Sequence, residues 1–278
     1  MAKFTFIDLF SGIGGFHLGL HQAGGSCILA SDIDEQANRT YAENFGIVPK
    51  GDVRKIAANQ IPDFDVLCAG FPCQSFSNVG PKGGLNDPRG ALFYEIGRIL
   101  RVKRPKTFIL ENVKGLFNHD GGDTFKIILD ILDSAGYFVS YEILEAKDYG
   151  LPQIRKRLFI VGVQKRFRRK FQFPKKKEAL DFTLSDVLKG KVERDYAFTI
   201  RIGGRRSGIN NRYNWDSYKV DGEVRYITPE ECKLLQGFPT SFKLTGRQSA
   251  QYKQVGNSVP VNLVNAIAQA LIDQNFLP

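Results

Sequence analysis

Over roughly the first 165 residues, short apolar runs alternate with helical stretches, and that alternation constrains the fold more than any other feature. "KFTFIDLF" (3–10), "SCILASD" (26–32), "FDVLCAGF" (64–71), "TFILEN" (107–112), "FVSYEILEA" (138–146) and "RLFIVGV" (157–163) read as strands. Between them, "FHLGLHQAGG" (16–25), "EQANRTYAENFG" (35–46), "ALFYEIGRILRV" (91–102) and "TFKIILDILDSAG" (124–136) read as helices, the first two closed by glycine. A βαβα order of this kind predicts a doubly wound α/β domain around a mostly parallel sheet.

The alternation breaks after Val163. Residues 164–250 carry more charge, Gly and Asn, with strand-like pieces only at "YAFTIRI" (196–202) and "EVRYIT" (223–228), and read as a second, smaller lobe. The helical "VPVNLVNAIAQALIDQ" (259–274) returns to the earlier style and is expected to pack on the first domain. Charge follows the same division. In residues 165–206, 14 Lys and Arg face 5 Asp and Glu, a balance of +9 within a total of +10. Phe167, Phe171, Phe173 and Phe182 interleave with this charge, which suits a folded module facing a polyanion better than a bare solvated run. No uninterrupted apolar run approaches the ~20 residues of a membrane span. The N-terminal residues lack a signal-peptide layout. Cys27, Cys68, Cys73 and Cys232 show no CxxC spacing, so neither a zinc site nor a disulfide scaffold is expected, and a cytoplasmic setting fits best.

Ligands of open α/β sheets bind at the carboxyl ends of the strands. Here those ends bring a glycine loop (Phe10-Ser11-Gly12), an acid (Asp32), a thiol (Phe71-Pro72-Cys73) and an acid–amide pair (Glu111-Asn112) to one rim. "FSGIGG" departs from the dinucleotide fingerprint, since His17 takes the third glycine position. Asp32 lies 20 residues beyond Gly12, the separation at which an acid meets ribose hydroxyls, so a nucleoside-containing cofactor is expected. A cysteine in a loop fixed by proline and followed by polar residues reads as exposed and reactive, against the plain alternative of an inert buried thiol. The glycine-rich "VGPKGGLNDPRG" (79–90) that follows reads as a lid.

Seven ordered motifs extend these readings: "DLFSGIGGF" (8–16), "GDV" (51–53), "GFPCQSFS" (70–77), "ENVKG" (111–115), "QIRKR" (153–157), "TPEECKLLQGFP" (228–239) and "QVGNSVP" (254–260). With them the chain resembles, along nearly its whole length, the cytosine-C5 DNA methyltransferases that use S-adenosylmethionine, of the bacterial restriction-modification type. The resemblance implies a Rossmann-like mixed sheet of the class I methyltransferase kind (1–180 plus 250–278) and a small target-recognition domain (181–249). It implies a cofactor site of Phe10, Gly12, Gly14, Asp32, Ile33, Asp52, Val53, Pro72, Asn257 and Ser258. It further implies Cys73 as nucleophile, Glu111 engaging cytosine N3, and Arg155 and Arg157 holding the base and the active site. Gln74, Ser77 and Arg89 would meet DNA beside the nucleophile.

Cytosine C5 needs activation before it can take a methyl group. A thiolate adding to C6 makes C5 an enamine carbon, and a carboxyl with a raised pKa best donates a proton to N3. The base must leave the duplex stack for this. Within "TIRIGGRRSGINNRYNWDSYKV" (199–220), Arg201, Arg205, Arg206, Asn210, Asn211 and Arg212 are candidates for reading bases, because Arg suits guanine edges and Asn adenine. Lys165–Lys170 and Lys175–Lys177 are expected to add phosphate affinity. Duplex DNA is the expected partner, the protein acting as a monomer with a companion restriction endonuclease working separately. Three rivals remain open: a structured-RNA substrate, an NAD-dependent oxidoreductase, and a DNA-binding protein without catalysis.

Overall fold

The computed structural model describes residues 2–72, 91–177, 179–203, 206 and 208–278. Six strands, β1 (Phe4–Leu9), β2 (Gly25–Ser31), β3 (Val66–Gly70), β4 (Thr107–Val113), β5 (Tyr137–Glu145) and β6 (Lys156–Gln164), form one sheet in the order β2-β1-β3-β4-β6-β5. β1 runs parallel to β2 and β3, and β3 to β4, whereas β6 is antiparallel to both its neighbours. The sheet is therefore mixed, with one reversed strand near its edge.

The central strands are apolar at successive positions because both faces are covered. Phe6, Val66, Cys68, Ile109 and Phe159 point to one buried cluster, shared with α1 (Gly15–Gln22) and α8 (Val261–Asp273). Ile7, Leu67, Ala69, Phe108 and Leu110 point to another, under α3 (Ala91–Lys103) and α4 (Asp123–Ser134). The C-terminal helix α8 thus packs on the first domain, against α1, as its pattern predicts. Gly19 permits the approach: a Cβ there would stand 2.6 Å from Val264 Cβ and 2.9 Å from Val261 O. α2 (Glu35–Phe45) begins on Asp34, whose carboxylate accepts from Gln36 N and Ala37 N, and ends on Gly46 at φ 67°.

A third buried cluster gathers Trp215, Tyr218, Phe238 and Phe242 with Ile13, Ala37, Tyr252, Val255 and Val261. Around it lie α5 (Leu184–Leu188), the hairpin of β7 (Ser217–Val220) and β8 (Glu223–Tyr226), α6 (Pro229–Leu235) and α7 (Gln248–Asn257). Asp221 and Gly222 both take positive φ in the hairpin turn, the conformation a two-residue connection requires. α5 and α6 each begin with a capping box, Thr183 with Asp186 and Thr228 with Glu231.

One expected strand does not form. Residues 196–202 contribute only a single bridge, Gln153 to Ala197. Side chains take some of the backbone bonds a partner strand would have made: Phe198 N donates to Tyr218 Oη (3.0 Å), and Ile200 O accepts from Arg155 Nη1 (3.1 Å). The phenylalanines among the basic residues face inward, Phe171 buried in the first cluster and Phe167, Phe173 and Phe182 packed against it. The stretch Gln248–Asp273 is apolar enough by length and composition to suit a membrane span. It comprises two helices, α7 and α8, separated at residues 258–260 and mostly buried.

Candidate active site

A cavity of about 570 Å³ opens at the carboxyl ends of the parallel strands. Phe10, Gly12, Asp32, Ile33, Asp52, Val53, Pro72, Glu111, Arg155, Arg157 and Asn257 all line it. Of the remaining predicted cofactor residues, Gly14 sits outside as the N-cap of α1, and Ser258 is buried behind the wall. Cys73, Gln74, Ser77, Arg89 and Arg205, and the glycine-rich stretch 79–90, lie outside the described residues.

Register explains the convergence. Gly70 pairs with Glu111 across β3 and β4, so the chain leaving β3 at Phe71-Pro72 passes beside that carboxyl. Asn112, one residue on and 3% exposed, donates from Nδ2 to Phe71 O (2.8 Å) and accepts from Val113 N at Oδ1 (2.8 Å). It fixes the backbone at Phe71, where the chain leaves β3. The antiparallel register of β6 sets Arg157 opposite Val113, and its Nε meets Glu111 Oε1 at 2.8 Å.

Burial raises the Glu111 carboxyl above its ordinary range, while Arg157 and Arg155 pull it back without cancelling the rise. Arg155, 1% exposed, donates to Ile200 O, Gly256 O and Ser258 O at 2.8–3.1 Å, and its buried Nε has no partner among the described residues. Burial and Arg157 both act against its charge, and Glu111 supports it.

The opposite end of the cavity has the chemistry of a nucleoside site. Asp32 Oδ2 accepts from Gly12 N and Oδ1 from Asp34 N, each at 2.8 Å, leaving further lone pairs on both oxygens. Burial raises its pKa. Gly12 holds φ 52°, and a Cβ there would meet nothing within 4 Å, so the loop backbone is open to a ligand. Ile33 is 75% exposed, an apolar surface on the wall. Asp52 is held by Arg54 in a fork of 2.5–2.9 Å that keeps its carboxyl below the ordinary range. Lys253 of α7 bridges to Asp34 Oδ2 (2.7 Å) beside it. The residues fit a ribose-bearing cation such as S-adenosylmethionine: two carboxylates, an apolar wall and an open glycine loop. His17, by contrast, is core, stacked on Phe45 at 3.8 Å and bonded to Tyr41 Oη (2.7 Å). Arg54 and Lys253 were not among the expected site residues, whereas Asn112 was expected at this rim as the amide beside Glu111, with no role assigned to it.

Comparison with known proteins decides the family. A model described as C-5 cytosine-specific DNA methylase matches residues 4–218 and 194–273. The chain belongs to the C-5 cytosine-specific DNA methylase family. It is 40% identical to the Type II methyltransferase M.DsaV of Dactylococcopsis salina, over 97% of this chain and 86% of the relative. It is 34% identical to the Type II methyltransferase M.HhaI of Haemophilus parahaemolyticus, over 98% of this chain and 96% of that one. In fold it matches the S. pombe Dnmt2 methyltransferase (TM-score 0.75, 21% identity, 98% and 100% of the two chains). It also matches the Entamoeba histolytica methyltransferase EhMeth (TM-score 0.76, 22% identity, 99% of each). The protein is accordingly a DNA (cytosine-5)-methyltransferase, and enzymes of this family generally use S-adenosylmethionine.

The base-reading candidates lie beyond the cavity. Arg201, Arg206, Asn210, Asn211 and Arg212 are exposed. Residues 201–202 pass its edge, since a Cβ on Gly256, next to Asn257, would stand 3.2 Å from Arg201 C and Ile202 Cγ2. Residues 206–217 are braced from within: Arg206 N donates to Asp216 Oδ2 (2.7 Å), and Asn214 bonds both the N and the O of Ser217 (2.9 Å each).

Proposed function

We propose that the enzyme methylates C5 of a cytosine extruded from a specific duplex sequence, through a transient bond from Cys73 Sγ to C6. The observation that carries this reading is the joining of Pro72, Glu111 and Arg157 to the Asp32–Ile33 wall around one cavity. Asp32 and Asp52 would hold the ribose and adenine of S-adenosylmethionine, with Phe10, Ile33 and Val53 as apolar walls and Asn257 at the mouth. When bound, that cofactor supplies an electrophilic methyl group.

Cys73 attacks C6 as thiolate, forming a C–S bond while Glu111 gives a proton to N3, so that C5 becomes nucleophilic. Arg157 holds the Glu111 carboxyl in place. Once C5 has taken the methyl group, loss of the C5 proton, departure of the thiolate from C6 and return of the N3 proton to Glu111 would restore the aromatic ring. Extrusion of the base costs a few kcal/mol, which closure around the pocket would offset.

Residues 181–249 act as the target-recognition domain, with Arg201, Arg206, Asn210, Asn211 and Arg212 as readers and Lys175–Lys177 on phosphates. The enzyme works as a monomer in the cytoplasm, and its similarity to Type II methyltransferases favours a companion endonuclease. Mapping methylated cytosines in duplex DNA against a competing tRNA tests the substrate. Label at C5 within one recurring DNA sequence is expected; preferential labelling of the RNA would overturn the DNA reading.

A further inference from the structure

The amino-end rim of the sheet, remote from the cavity, carries a positive surface that methyl transfer does not use. β6 runs against β4, so Val163 lies level with Thr107 at the start of β4, and Arg157 level with Val113 at its end. The basic stretch Lys165–Lys170, expected from its charge to add phosphate affinity, therefore leaves the sheet on the side away from Glu111, apart from the cavity that the target cytosine would enter. At ~3.3 Å per residue, the length of β4 puts about 20 Å between the two rims.

Backbone bonds hold this surface together. Gln164 N donates to Lys106 O (3.1 Å), Gln164 Nε2 to Arg104 O, and Lys165 N to Gly136 O (2.9 Å). Arg104 and Arg166 both stand near the Tyr137 phenol, opposing the rise that burial imposes on it. Below, Phe167 packs edge-on against Phe276 at 5.2 Å, and the Arg169 guanidinium lies 4.7 Å over the same ring while donating to Gln274 O. The cations are thus displayed on an anchored backbone, unlike a free charge run.

Three carboxylates of this rim are engaged in ion pairs, Asp63 with Lys103 (2.5 Å), Asp65 with Lys106 (2.8 Å) and Asp133 with Lys165 (2.9 Å), and Asp273 accepts from Gln269 Nε2 (2.9 Å). Arg104, Arg166, Arg168, Arg169 and Lys170 are exposed, with no ion pair to an acidic residue among the described residues. Their aromatic neighbours point inward, and the exposed Val102 beside Arg104 is by itself too small an apolar surface to insert into a bilayer.

We propose that this rim is a second duplex-DNA contact, engaging the phosphates of a segment other than the one whose cytosine enters the cavity. It rests on the DNA substrate proposed above. Such a contact is independent of sequence and strongly salt-dependent, since each neutralised phosphate adds about −0.9 to the slope of log K against log salt. An enzyme holding two segments at once can pass from one to the other without dissociating.

The test uses the full chain with Arg104, Arg166, Arg168 and Lys170 all changed to Gln. Enzyme saturated with a short duplex carrying the target is titrated with a labelled duplex that lacks it, over a salt series. The wild type is expected to capture the second duplex. In the variant, capture should fall at least tenfold and the salt slope by about 3.6, at 0.9 per cation removed. Methylation of the short duplex should stay within twofold. The proposal is overturned if the wild type captures no second duplex, or if the variant captures it equally well. It is also overturned if short-duplex methylation falls with capture, which would place the rim in the first duplex's footprint, or if structured RNA binds there more tightly than DNA. Failure of the wild type to methylate duplex DNA would instead strike the proposed substrate.

Discussion

At the cavity, position is set by the sheet: Phe10 and Pro72 follow directly on strand ends, and Glu111 lies within the ladder of β4. Along residues 196–217, position is set by individual side chains. Tyr218, Arg155, Asn214 and Asp216 satisfy backbone groups that no ladder reaches. The first construction holds a few groups to a fixed geometry, which bond making requires. The second can change one contact at a time without disturbing a sheet, which suits recognition of differing sequences. Arg155 belongs to both, lining the cavity while bonding Ile200, Gly256 and Ser258.

Three substitutions break or sharpen this contrast. Glu111→Gln acts on the sheet-held side and should lower kcat by about 10²–10⁴, the span of a lost general acid, with cofactor affinity nearly unchanged. Because burial raises the Glu111 pKa, its donor form persists above the ordinary carboxyl range and is lost as pH rises through the raised value. Wild-type kcat should therefore fall on its alkaline limb, and the Gln variant, measured across pH, should lack that limb. Arg155→Ala strikes both regions at once. Three buried carbonyls lose donors, so stability should fall by at least about 3 kcal/mol, a loss of about 6–12 °C in Tm by calorimetry. Asn214→Ala acts on the loop alone. It should leave cofactor affinity intact and lower discrimination between target and non-target duplexes about tenfold in competition assays, the equivalent of one lost hydrogen bond.

The contrast also explains what could be read in the sequence. The central strands showed because burial on both faces makes their apolar runs continuous; the chain leaves β1 and β3 at Phe10-Ser11 and Phe71-Pro72, and β4 carries Glu111-Asn112 among its last three residues. The expected strand at 196–202 rested on β-propensity alone, which does not say whether a partner strand or a side chain will take the backbone bonds. α5 and α7 are short and weakly periodic, so no helical pattern marked them in the sequence. Arg54 and Lys253 reach the cavity through ion pairs to Asp52 and Asp34, partners that no spacing rule names.

The central claim is tested most directly with a target duplex carrying 5-fluorocytosine at the methylated position, incubated with enzyme and S-adenosylmethionine. Fluorine cannot depart as a proton, so the ring should stay attached through position 73, giving a denaturation-resistant adduct that Cys73→Ser cannot form. Full turnover on the ordinary duplex with no adduct on the fluorinated one, or an adduct that survives the serine substitution, would contradict it.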